Sequence, residues 1–157
     1  MKIGKKLGLV ILVLALAFVF ASLVIKEKSY LAERIAGRKF EAEKLRNLVP
    51  GDWSAACTID ELGRPAAIAE SLAPQPLTFN PVGNQYRDIL LDGATGVVLV
   101  DTKINEYALY LVFDDNRITI LQRKGNQCVP FESALLRRSS IGDANWHYFD
   151  LEQGTQP

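Results

Sequence analysis

His147 is the only histidine in the chain and lies between Trp146 and Tyr148. An imidazole does acid–base work beside a nucleophile or binds a metal beside other donors. Ser54 and Ser133 are the serines weighed for a Ser–His–acid triad, and nothing resembling a nucleophile elbow frames either one. A zinc site needs more His or Cys ligands than remain once Cys57 and Cys128 pair. His147 therefore reads as a packed or half-exposed strand residue. Asp114-Asp115-Asn116 has the oxygens for a hard cation, but a tight turn between two strands uses the same residues to cap its backbone. Gly93-Ala94-Thr95-Gly96 lacks the Lys and following helix of a phosphate loop. No motif singles out a glycosidase-like pair of carboxylates. Arg137-Arg138, beside Ser139-Ser140, form a small basic spot. The expectation is a chain with no catalytic residues, no metal site and no cofactor.

Cys57 and Cys128 are the only two cysteines. In an oxidising compartment they have one pairing choice, and closing a loop of roughly 70 residues stabilises by about 4 kcal/mol in the chain-entropy model. In a reducing compartment they would be buried thiols. The absence of a CxxC pattern argues against thiol–disulfide catalysis.

The elements that would position these residues begin near Pro50. Thr58-Ile59-Asp60-Glu61 has the form of a capping box, but Gly63 and Pro65 follow too soon for a long helix. Residues 65–72 (PAAIAESL) fit a short helix with Pro first and Pro74 as its stop. Pro74, Pro76 and Pro81 then make a connecting loop. Strands are expected over 86–91, 96–101, 106–113, 118–123 and 145–151, separated by Asp-Gly, Asp-Asp-Asn-Arg and Lys-Gly-Asn turn signals, with a helical turn over 132–138. Close spacing pairs such strands most simply as an antiparallel meander. The expected fold class is α+β, with five strands in a small antiparallel sheet, one short helix and one disulfide.

Ahead of this domain, residues 7–25 (LGLVILVLALAFVFASLVI) carry no charge, and a membrane span needs about 20 mostly apolar residues. The run continues past the Val19-Phe20-Ala21 site where a signal peptidase would cut, so a retained anchor is favoured over a cleaved leader. Residues 1–49 hold ten Lys or Arg against four Glu, whereas residues 50–157 hold eight basic against fourteen acidic. The acidic domain argues against nucleic-acid binding, which requires a basic face. The basic flank favours anionic headgroups, at about 1 kcal/mol per charge near the surface. Lys2, Lys5 and Lys6 form the short basic tail of a signal-anchor, giving N-in, C-out, although residues 26–46 hold more basic residues than that tail. The expected location is the inner (plasma) membrane, with residues 1–6 cytoplasmic and 50–157 extracytoplasmic.

Residues 26–49 contain no Pro, and their composition is that of a helical stem continuing from the span. Leu31, Ile35, Ala42, Leu45 and Val49, with Arg38 interrupting, recur at helical spacing, and Pro50-Gly51 ends the run. This stripe either faces a partner helix or packs on the chain's own domain with Phe40 and Tyr30. Trp53 is placed to anchor the stem to the sheet.

Residues 1–8 (MKIGKKLG) are a short basic leader ending in Gly8, followed directly by the apolar run. With the stem, the antiparallel sheet and the single disulfide, this order of parts resembles type IV pilins and pseudopilins. That resemblance implies a filament-type minor subunit processed to start at Leu9. The family's Phe and later Glu are replaced here by Leu9 and Val13. The composition otherwise points to an accessory or interaction subunit of a membrane or envelope complex. A membrane-tethered inhibitor or immunity protein using its acidic domain is the further alternative.

Overall fold

The longest strands of the computed structural model are β4 (Ala94–Asp101) and β5 (Glu106–Phe113), paired antiparallel from Ala94 opposite Phe113 to Asp101 opposite Glu106. The structure describes residues 30–36, 38–59, 63–83, 94–113, 117–122, 127–141 and 145–154. Asp101 Oδ1 accepts the Lys103 amide, and Asn105 takes a left-handed φ of 56° to close the connection. Both roles suit a short side chain that bonds its own backbone.

Nine strands are described, in two sheets. The five-stranded sheet runs β3 (Thr78–Phe79), β5, β4, β2 (Ala55–Ile59), β7 (Cys128–Pro130). The four-stranded sheet runs β1 (Ala42–Lys44), β8 (Ala134–Arg138), β9 (His147–Gln153), β6 (Ile118–Leu121). The expected antiparallel meander is therefore incorrect. β6 leaves the hairpin, joins the second sheet and pairs parallel to β9, while β3 pairs parallel to β5. Both sheets are mixed.

The reason lies in burial. β4 and β5 are apolar on both faces, as strands covered on two sides must be. Val97, Leu99, Ala108, Tyr110 and Val112 face one core, shared with Ile118, Ile120, Leu136, Phe149 and Leu151 of the second sheet. Val98, Val100, Tyr107, Leu109 and Leu111 face another, roofed by helix α2 (Pro65–Glu70) through Ile68 and Ala69 and by Leu77 and Phe79. A meander would have left one of these faces open to water. The two sheets are also stitched by the Ile120 amide, which donates to Thr95 Oγ1 at 2.9 Å.

The helical stem over 26–49 is corrected as well. Among the described residues of that stretch, helix α1 covers Tyr30–Ala36; Ala42–Lys44 is strand β1, paired with β8, and Leu45–Asn47 is a 3-10 turn. Leu31, Ile35, Leu45 and Val49 are buried in the inter-sheet core of the chain's own domain, whereas Ala42 is exposed. The periodicity came from a helix and a 3-10 turn separated by strand β1, whose apolar residues share one core. The long amphipathic helix on which the pilin resemblance depended is thus not formed beyond Ala36. Trp53 packs against this core, and its indole N–H donates to the Pro50 carbonyl at 2.8 Å, across Gly51 with its φ of 94°.

Residues 132–138 are not a helical turn: Phe131–Ser133 is a 3-10 turn, and Ala134–Arg138 is strand β8. Thr58 lies inside β2, so its part of the supposed capping box is extended, and Asp60 and Glu61 lie outside the described residues. So do the apolar run 7–25, the expected strand 86–91 and the Asp114–Asn116 turn. No helix among the described residues is long and apolar enough to cross a membrane.

Candidate functional site, a cation-lined groove

The core-facing row of β8 reads Ala134, Leu136, Arg138, and that of β9 reads Leu151, Phe149, His147. At this end the inter-sheet core stops being apolar and opens to solvent. The opening is a groove of about 800 Å³ between the end of α1, the segment 38–41, and the near ends of β6, β8 and β9. Its base is Ile35, Ile118 and Phe149, which are buried, and half-buried Phe40, whose ring lies 5.5 Å from that of Phe149. Among the described residues its rim carries Arg38, Lys39, Arg117 and Arg138, with Glu41 the carboxylate and Asn145 and His147 completing it.

Among the described residues, Arg38, Lys39 and Arg117 make no side-chain hydrogen bond or ion pair. Arg138 Nη2 lies 2.5 Å from His147 Nδ1. A guanidinium only donates, so His147 Nδ1 accepts and the imidazole proton sits on Nε2. His147 thereby orients Arg138, which is exposed and lines the groove. Arg117 is held by its backbone: φ is 54°, and its carbonyl accepts the His147 amide at 2.8 Å, starting the β6–β9 pairing. Left-handed backbone is uncommon for a side chain of this size and marks a fixed position.

The serines considered for a triad are elsewhere. Ser133 Oγ donates to the Pro130 carbonyl, and Ser54 Oγ accepts from the amide and hydroxyl of Thr102 at 3.1 Å. The Phe131 amide donates to the Ser54 carbonyl, so both serines flank the 3-10 turn before β8. That turn adjoins Ala134, which pairs with Gln153, at the opposite end of β9 from His147. Six residues of strand separate the two ends by about 20 Å. Ala94, Thr95 and Gly96 are in β4 rather than in a phosphate loop. No group of His, Cys, Asp and Glu among the described residues has the arrangement of a metal site.

Cys57 and Cys128 form the disulfide, directly opposite one another on β2 and β7. Cys57 is fully buried in the core under α2, remote from the groove. Arg137 and Arg138 separate onto the two faces of β8. Arg137 Nε donates to Glu152 on the outer face at 2.8 Å, whereas Arg138 enters the groove.

Sequence reasoning noted Arg138 only within a small basic spot and read His147 as a structural strand residue. It missed Arg38, Lys39, Phe40 and Arg117 as partners, because the parallel β6–β9 pairing that gathers them joins segments about 30 residues apart. The available signal was the alternation of β8 and β9, whose apolar rows each end in a cation or imidazole.

Comparison of the chain with protein-family models, with curated proteins and with solved structures gave no match in any of the three.

Proposed function

We propose that this chain is a single-pass membrane protein whose extracytoplasmic α+β domain binds rather than catalyses, serving as an accessory or interaction subunit of a membrane or envelope complex. The observation that carries the reading is the uncharged stretch 7–25, set directly ahead of a domain whose one end is an open, cation-rimmed groove. A span that fixes the domain at the membrane and a groove whose described rim is mostly cationic together suit recognition. Helix α1 and β1, the described elements that follow the span in sequence, are rooted in the domain itself: α1 buries Leu31 and Ile35 in its core and β1 pairs with β8.

The test is solubilisation of the tagged full chain in a mild detergent followed by affinity purification. Reproducible co-purification of membrane or envelope proteins is the expected result. Recovery of the chain alone, under conditions that keep other membrane complexes of the same cell intact, overturns the subunit reading.

A further inference from the structure

The cations of the groove are concentrated in a domain that is otherwise acidic. Arg117 and Arg138 come from the domain, where acidic residues outnumber basic ones fourteen to eight, and Arg38 and Lys39 are brought to them from the basic flank. An anionic surface therefore repels most of this domain and attracts this one end of it. The covalent path to the membrane is also short. Arg38 is thirteen residues beyond Ile25, and seven of the intervening residues form α1. With a helical rise of about 1.5 Å and at most about 3.5 Å per extended residue, the groove stays within about 35 Å of the end of the apolar run.

We propose that the groove binds the headgroup phosphate of an anionic phospholipid from the membrane that holds the chain's own span. This rests on the single-pass reading given above. The guanidiniums of Arg38, Arg117 and Arg138 supply paired N–H donors matched to phosphate oxygens, and Lys39 adds a point charge. Phe40 offers the glycerol and first acyl carbons an apolar wall that a free inorganic ion would not use. His147 is a positioning residue, holding the Arg138 guanidinium by one N–H. An acidic peptide would satisfy the same charges, but a tethered groove meets lipid headgroups at a fixed, high local concentration, which a diffusing peptide lacks.

The experiment uses the full chain in nanodiscs of phosphatidylcholine alone or with added phosphatidylglycerol, and reads amide hydrogen exchange over 38–41, 117–120 and 145–149. Slowing of about fivefold or more in the anionic discs is expected, with none in the neutral discs. Each cation near an anionic surface contributes about a fivefold preference, so the Arg38→Gln/Lys39→Gln double variant should return exchange close to the neutral-disc rate. Arg137→Gln, which removes a cation from the other face of β8, should keep the protection. Equal exchange in both discs overturns the proposal while leaving the single-span reading standing. Failure of the chain to co-elute with either disc overturns both. Equal protection in neutral discs on adding millimolar inorganic phosphate, or an acidic peptide, assigns the groove to that ligand and overturns the lipid assignment.

Discussion

The two faces of the five-stranded sheet are covered in opposite ways. One is sealed: α2, Leu77 and Phe79 lie across it, and the Cys57–Cys128 bond locks the outer strand β7 to β2 on that side. The other is covered by a second sheet and by α1, and that cover stops short, leaving a mouth where Arg138 and His147 continue the apolar rows. The covalent lock lies on the closed face, and the accessible chemistry lies at the open end of the other. A small domain can leave such a mouth open only if the rest of its core is well secured.

The largest expected effect tests the closed face. Replacing Cys57 and Cys128 together by Ala releases a loop closed across 71 residues of sequence. The expected loss is about 4 kcal/mol in chemical denaturation, with the groove intact in the folded fraction. A loss under about 1 kcal/mol would mean that the α2 side is held by packing alone.

The next pair sets the two covers against each other. Ile68→Ala removes a buried side chain from α2, and Ile35→Ala removes one from α1. Each should cost about 3 kcal/mol by the usual transfer and cavity terms. Only Ile35 also lines the groove. Ile35→Ala should therefore alter exchange at 117–120 beyond what its stability loss explains, whereas Ile68→Ala should not. Equal effects at 117–120 would mean that the two faces are not independent.

A smaller effect tests the seam between the sheets. Thr95→Val removes the acceptor of the amide of buried Ile120. Leaving this donor without a partner should cost about 1–2 kcal/mol and loosen β6 first, seen as faster exchange at Ile120. If the whole domain loosens together, the sheets share one cooperative unit with no weaker seam.

The closed face was the more legible half in the sequence. Pro65 and Pro74 bounded α2, the apolar runs 96–101 and 106–113 marked the central hairpin, and two cysteines allowed one bond. Each is a local signal. The open face depends on β6 pairing parallel with β9 and on β1 pairing with β8, and neither partner is announced by a turn between them. The stem was misread for a related reason. Leu31, Ile35, Leu45 and Val49 all point to one core, but from a helix and a turn separated by strand β1, and burial alone imitates helical spacing when two short elements share a core. The groove residues were individually visible, and their convergence was not.

The smallest effect on stability gives the sharpest test of the comparison, because it uses adjacent residues. Arg137 and Arg138 have the same charge and strand, and they point to opposite faces of β8. Arg137 is about half exposed and pairs with half-exposed Glu152, an arrangement worth roughly 0–1 kcal/mol in water. Arg137→Gln should therefore shift the denaturation midpoint barely at all and leave groove exchange in anionic discs unchanged. Arg138→Gln should shift stability just as little, since it faces the open mouth, yet weaken the protection of 38–41 and 145–149. If the two variants behave alike in anionic discs, the membrane responds to the total charge of this end of the domain, and the groove itself has no role. If only Arg138→Gln loses protection, recognition belongs to the mouth of the core, at the end where the second sheet stops covering the first.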